Sequence, residues 1–202
     1  MRVIAGSLGG RRLRAPRGNN TRPTPDRVRE ALFASLEPLA GLRVLDLYAG
    51  TGALAIEALS RGASHAVLVE RSRDALLVLR GNLAQLDLGD RTVVLGADVQ
   101  RAFDAIAKLG PYDLIFADPP YADVPSGRLA STIDRLLAET EVVTQDSWLV
   151  IEHAARDAAP VFETAEHLRS RAYGDTELSF YAPRPKPSPP GPDKGTGQDF
   201  RV

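Results

Sequence analysis

Asp118-Pro119-Pro120-Tyr121 places a carboxylate, two prolines and an aromatic ring in succession, directly after the apolar run Tyr112 to Ala117. Paired prolines fix two φ angles and donate no backbone hydrogen bond, so the loop is stiff and its carbonyls point in set directions. Such a loop suits an amine on a planar ring. Asp118 and the Pro119 carbonyl accept its two N–H bonds, and Tyr121 offers a stacking face. An aryl-type amine is a weak nucleophile because its lone pair is delocalised, so holding it in line with an electrophile is the chemistry this tetrad can do. Taken alone, the string is also a proline turn closing a strand, and its meaning depends on its neighbours.

Those neighbours begin with Asp46-Leu47-Tyr48-Ala49-Gly50-Thr51-Gly52-Ala53, which follows an earlier apolar run. Gly50 and Gly52 let the backbone approach a ligand at the carboxyl end of a strand, where open α/β sheets bind their ligands. A dinucleotide loop would carry a third glycine or an alanine at position 55, and Ala55 keeps that reading open. The acid Asp46 suits a cofactor with a cationic amino acid end better than a pyrophosphate. S-adenosylmethionine carries an ammonium and a sulfonium. Glu70 closes the second strand, where a carboxylate can accept ribose hydroxyls, and Asp98 closes the third, within reach of an adenine amino group. Tyr48, Arg71, Val99 and Asp118 complete the candidate cofactor set. The competing role for Glu70 and Asp98 is to cap the helices after them.

Elements must bring these residues together. Apolar runs at 43–48, 66–70, 92–95, 112–117 and 148–152 alternate with helical spacing at 53–61, 72–86, 99–108 and 127–139. This alternation predicts an α/β, Rossmann-like fold with a mostly parallel sheet and helices on both faces. If strand order reverses at the switch point, the fourth strand lies beside the first and the tetrad faces the cofactor. Beyond the fifth strand, 166–172 and 176–181 flank Tyr173-Gly174-Asp175, predicting an antiparallel pair at a sheet edge and seven strands in all. Residues 2–5 and 11–15 around Leu8-Gly9-Gly10 predict a hairpin, and Asp26 to Leu36 a helix. The expected organisation is a basic extension over 1–38, a catalytic domain over 39–182 and a disordered Pro/Gly-rich tail over 183–202.

Charge is divided along the chain. Eight arginines against Asp26 and Glu30 give residues 1–30 a net +6, leaving −7 on the rest of a chain whose total is −1. A basic arm on an acidic body commonly meets phosphate, and arginine favours forked contacts. Arg11, Arg12, Arg14, Arg22, Arg27 and Arg29 are the candidate RNA contacts, with a solvated basic end as the competing reading. With no cysteine, disulfides, thiolate metal sites and cysteine nucleophiles are excluded. His65, His153 and His167 lack metal-ligand spacing, so no metal is expected. Glu152-His153 ends the fifth strand on the side of the tetrad. No apolar run reaches membrane-spanning length and no secretory signal is evident, so the expected location is cytoplasmic.

Together, Asp46 to Gly52, Glu70, Asp98 and Asp118 to Tyr121 resemble the sequential motifs of class I amino-methyltransferases. Arg2-Val3-Ile4-Ala5-Gly6, Gly10-Arg11-Arg12-Leu13 and Thr21-Arg22-Pro23-Thr24-Pro25-Asp26-Arg27-Val28-Arg29-Glu30-Ala31-Leu32-Phe33 further resemble the RsmD family of bacterial 16S ribosomal RNA guanine-N2 methyltransferases. The resemblance runs from residue 2 to about 182. Pro25 stands where many relatives have a second threonine. The resemblance implies a monomer that uses S-adenosylmethionine to methylate one guanine N2 of 16S rRNA, in the 30S subunit or an assembly intermediate. It also implies that the arginine-rich segment engages RNA beside the active site.

Four rivals remain. A DNA amino-methyltransferase, acting on adenine N6 or cytosine N4, shares the tetrad, but 202 residues leave no room for a separate sequence-reading domain. A cytosine-C5 enzyme needs the missing cysteine. A nonenzymatic RNA-binding module would leave the tetrad and acids without purpose, and an NAD-dependent oxidoreductase would leave the tetrad unexplained.

Overall fold

The computed structural model describes residues 1–15 and 26–186. Seven strands form one sheet: β1 (Arg43–Asp46), β2 (His65–Val69), β3 (Thr92–Leu95), β4 (Tyr112–Ala117), β5 (Val143–Ala154), β6 (Ala165–Tyr173) and β7 (Thr176–Pro183). Five helices join them: α1 (Asp26–Ala34), α2 (Ala53–Ser60), α3 (Arg73–Gln85), α4 (Phe103–Leu109) and α5 (Arg128–Glu139).

Strand order is β3-β2-β1-β4-β5-β7-β6, with β1 to β5 parallel and β7 antiparallel to both its neighbours. The reversal falls between β1 and β4, which meets the condition for the tetrad to lie beside the glycine loop. The hairpin of β6 and β7 turns at Gly174, whose φ of +66° lies in the left-handed region that glycine favours.

Period-two alternation splits the sheet residues between two cores. Val44, Leu114, Phe116 and Val150 pack against α1, α2 and α3, while Leu45, Ile115, Leu149 and Ile151 pack against α4 and α5. Helices therefore cover both faces. The α3 stripe Leu76, Leu79, Leu83 and Leu86 lies in the first core. Phe33 of α1 packs on Phe116, two residues before Asp118, with ring centroids 5.6 Å apart.

The amino-terminal hairpin is real but short. One bridge pairs Arg2 with Arg12, supported by Val3 N–H to Arg11 O at 2.9 Å and Leu13 N–H to Met1 O at 3.1 Å. Val3 and Leu13 are buried in the same core as α2 and α3. Glu57, fully buried on α2, accepts the amides of Ile4 and Ala5 at 2.7 and 3.0 Å.

Two expectations change. β5 starts at Val143 rather than Trp148, because Ser147 carries the irregular register: its Oγ donates to Tyr112 O and accepts from Thr144 N–H. At the other end β7 runs to Pro183, and Lys186 pairs with Glu141 at 2.7 Å, so the first residues assigned to the tail lie against the body. The remainder of that tail lies outside the described residues. Among the described residues, no helix is long and apolar enough to cross a membrane.

Candidate active site

The site lies at the carboxyl ends of β1, β2, β3, β4 and β5. Register brings Asp46 opposite Phe116, so the loops after β1 and β4 leave the sheet side by side. Leu47 N–H donates to Phe116 O at 2.9 Å, extending that pairing toward the tetrad.

In the glycine loop, Gly50 and Gly52 have φ of +54° and +82°. Gly52 precedes α2; its positive φ favours glycine, and a Cβ there would lie 2.5 Å from Leu79 Cδ1, so a side chain would also force Leu79 to shift. A Cβ on Gly50 would meet nothing within 4 Å, so that side of the loop is open. Glu70 binds the loop: its carboxylate accepts Gly50 N–H at 2.8 Å and Ser72 N–H at 2.7 Å. Asp98 accepts Gln100 N–H at 3.1 Å and pairs with Arg71 at 3.1 Å. Both acids thus hold local amides at strand ends: Asp98 caps the short turn after β3, whereas α3 after β2 is capped by Ser72 and not by Glu70. Tyr48, Arg71, Asp98 and Val99 line one cleft.

Asp46 is buried; the Ala55 and Tyr48 amides lie near its carboxylate, but neither carboxylate oxygen meets them in full hydrogen-bonding geometry. Burial, with Glu70 nearby, pushes its pKa up to about 7 against the weaker opposing pull of the Ala55 and Tyr48 amides. A buried acceptor without a well-placed donor is costly, and a cationic ligand group would supply one. Burial and the Asp123 and Asp98 charges push the Tyr48 phenol up to about 12, keeping it a neutral donor.

In the tetrad, Pro119 is buried, Pro120 exposed and Tyr121 49% exposed, its ring free to receive a partner. The Pro120 carbonyl accepts Asp123 N–H at 2.8 Å, closing the turn behind it. Asp118 keeps some open surface but is hemmed in by protein. Its pKa is raised well above the ordinary carboxylate range by burial, then by Glu152 and Asp46. Ala117 pairs with Ile151, so parallel register sets Glu152 next to Asp118.

Sequence reasoning missed Asp123 and Arg128, which line the cleft with Asp98 and pair at 3.8 Å. Asp123 ends the single 3-10 turn after the tetrad, where no periodicity marks a facing side, and Arg128 opens α5, whose apolar spacing reports its buried face but not which charge faces the cleft.

In the arm, Arg11, Arg12, Arg14 and Arg27 are exposed, available to phosphate. Arg29 is not: its side chain is 0% exposed, donating to Arg2 O at 2.5 Å and to Asp26 at 2.8 Å. The expectation that Arg29 contacts RNA is therefore corrected; on the inner face of α1 it serves packing. Arg22 lies outside the described residues.

A doubly wound sheet with a glycine loop after β1, acids closing β2 and β3 and the tetrad closing β4 defines a class I methyltransferase. The family model described as Conserved hypothetical protein 95 matches residues 1–182, and the chain belongs to this family, the RsmD family of methyltransferases. Curated relatives include the putative rRNA methyltransferase YlbH of Bacillus subtilis, 40% identical over 91% of this chain and 100% of its own. Ribosomal RNA small subunit methyltransferase D of Escherichia coli K12 is 37% identical over 90% and 89%. Among solved structures, the putative methyltransferase yhhF from Escherichia coli superposes with a TM-score of 0.75 at 32% identity, covering 91% of this chain and 97% of that one.

Proposed function

We propose that this chain transfers a methyl group from S-adenosylmethionine to the exocyclic N2 of a guanine in 16S rRNA. The observation that carries the reading is the β1–β4 register, which sets the amine-holding tetrad beside the open glycine loop.

The residues present fit the cofactor. The Asp46 carboxylate, without a well-placed donor, suits an ammonium, the open side of Gly50 admits a ligand to the backbone, and Glu70 and Asp98 offer acceptors to ribose and adenine. When bound, S-adenosylmethionine supplies an activated methyl group on a sulfonium, so alignment matters more than a strong base.

Asp118 and the Pro119 carbonyl accept the amine's two N–H bonds and orient its lone pair toward the loop. Tyr121 stacks on the base, which must leave any helix to reach it. An amine that gains a methyl group must shed a proton, and a carboxylate with a raised pKa is the better acceptor for it. Glu152, beside Asp118, supports guanine in particular. The ring N1–H of guanine lies next to N2 and needs an acceptor, whereas adenine presents a bare nitrogen at N1.

The RNA reading is supported by the exposed arginines of the hairpin and by relatives named as rRNA methyltransferases. The protein acts as a cytoplasmic monomer on the 30S subunit or an assembly intermediate. The test incubates the protein with labelled S-adenosylmethionine, unmethylated 30S particles and duplex DNA together. Label is expected in 16S rRNA; label confined to DNA would establish the DNA amino-methyltransferase instead.

A further inference from the structure

Asn82 is an oddity of α3. It is fully buried on a helix face otherwise made of Ala75, Leu76, Leu79 and Leu83. Asparagine is a poor interior helix residue, and a buried amide is tolerated only when its polar atoms are paired. Each pairing of Asn82 leads somewhere functional. Its Oδ1 accepts Arg14 N–H at 2.8 Å, while its Nδ2 donates to Arg14 O at 3.2 Å and to Thr51 O at 3.0 Å. Two carbonyls facing one end of the amide fix which end carries the hydrogens.

Thr51 is the residue between Gly50 and Gly52, and Arg14 belongs to the basic hairpin. The glycine loop is thus held twice, by Glu70 at Gly50 and by Asn82 at Thr51. The same amide grips Arg14 through both its backbone groups, in the manner of a strand partner. One turn further along that side of the helix, Gln85 donates to Arg12 O at 3.0 Å. A movement of the loop therefore has a short polar route to the backbone that presents Arg11, Arg12 and Arg14.

We infer that Asn82 is a positioning residue that couples cofactor occupancy of the glycine loop to the grip of the hairpin on RNA. The inference rests on the function proposed above. Coupling between two sites is reciprocal, so bound cofactor must strengthen RNA binding by the factor with which RNA strengthens cofactor binding. A residue that merely supports the fold would weaken both affinities and leave that factor unchanged.

The experiment measures binding of 30S particles by the full chain with and without saturating S-adenosylhomocysteine, for the wild type, Asn82→Ala and Gln85→Ala. The wild type should bind at least about fivefold more tightly with the ligand present. Asn82→Ala should lose that enhancement, and Gln85→Ala, which leaves the Thr51 bond intact, should keep it. A wild-type factor of one, or an undiminished factor in Asn82→Ala, overturns the inference. If Asn82→Ala does not fold, amide exchange of Arg14 in the wild type decides. Slower exchange on adding S-adenosylhomocysteine supports the coupling, and unchanged exchange overturns it. Failure of either ligand to bind the wild type removes the proposed function along with this inference; independent binding of both removes the inference alone.

Discussion

Gly50 donates its amide to the Glu70 carboxylate at 2.8 Å, tying the loop after β1 to the end of β2. The same carboxylate holds Ser72 N–H, just before α3 begins. One acid therefore shapes the loop, and under the proposed function it also presents an acceptor to the cofactor. Glu70→Ala removes both hydrogen bonds and should weaken S-adenosylmethionine binding at least about tenfold, the equivalent of one missing hydrogen bond to a charged group. Titration calorimetry checks it; an unchanged Kd would take Glu70 out of the cofactor site.

Asp46 is charged at a cost to stability. Its pKa of about 7, raised from 3.8, means that the folded chain binds a proton more tightly there than the unfolded chain does. Its contribution to stability therefore falls as pH rises from about 4 to about 7. Asp46→Asn should stabilise the protein by on the order of 2–4 kcal/mol at pH 7.5, the gain shrinking towards zero near pH 4. Urea unfolding at the two pH values measures it. The same substitution should weaken cofactor binding, and a variant that gains stability with undiminished affinity would contradict the ligand role.

Asp118 sits beside Glu152 and is charged only with difficulty. Under the proposed function its ionised form accepts the amine's hydrogens, so kcat/KM should rise with pH along a limb displaced above the ordinary carboxylate range. Glu152→Gln removes a repelling charge and should move that limb to lower pH while reducing activity on guanine. A limb that stays in place would separate the two carboxylates.

The arginines divide by burial. Replacing exposed Arg11, Arg12 and Arg14 by alanine should weaken RNA binding and reduce its salt slope by about one for each phosphate no longer neutralised. Arg29→Ala should instead lower stability by on the order of 1–3 kcal/mol, since the Arg2 carbonyl loses its donor while Asp26 keeps only its 3.4 Å pairing with Arg2, and leave the slope unchanged. Binding titrations across a salt series, with thermal melts, distinguish the two behaviours.

Much of this arrangement was legible in the residues because local pattern and global fold agree. Strands β1 to β4 are short apolar runs, and acids at their ends mark the ligand side before any tertiary contact is known. β5 was legible only in its apolar half: Thr144 to Ser147 are polar, and their place in the strand depends on Ser147 reaching Tyr112 across the sheet. Arg29 was misread because charge alone does not report which face of a helix turns inward. Val28, Leu32 and Phe33 share that buried side. Asn82 carried no motif at all, since its meaning depends on two segments that are distant in sequence, at Arg14 and Thr51.

The most direct test compares 16S rRNA from 30S particles treated with wild-type protein and with Asp118→Ala, digested to nucleosides. The wild type should yield N2-methylguanosine, and Asp118→Ala none despite near-normal affinity for S-adenosylmethionine. Methylation on another base, or undiminished N2-methylguanosine from Asp118→Ala, would contradict the assignment of the tetrad as the amine-holding catalytic site.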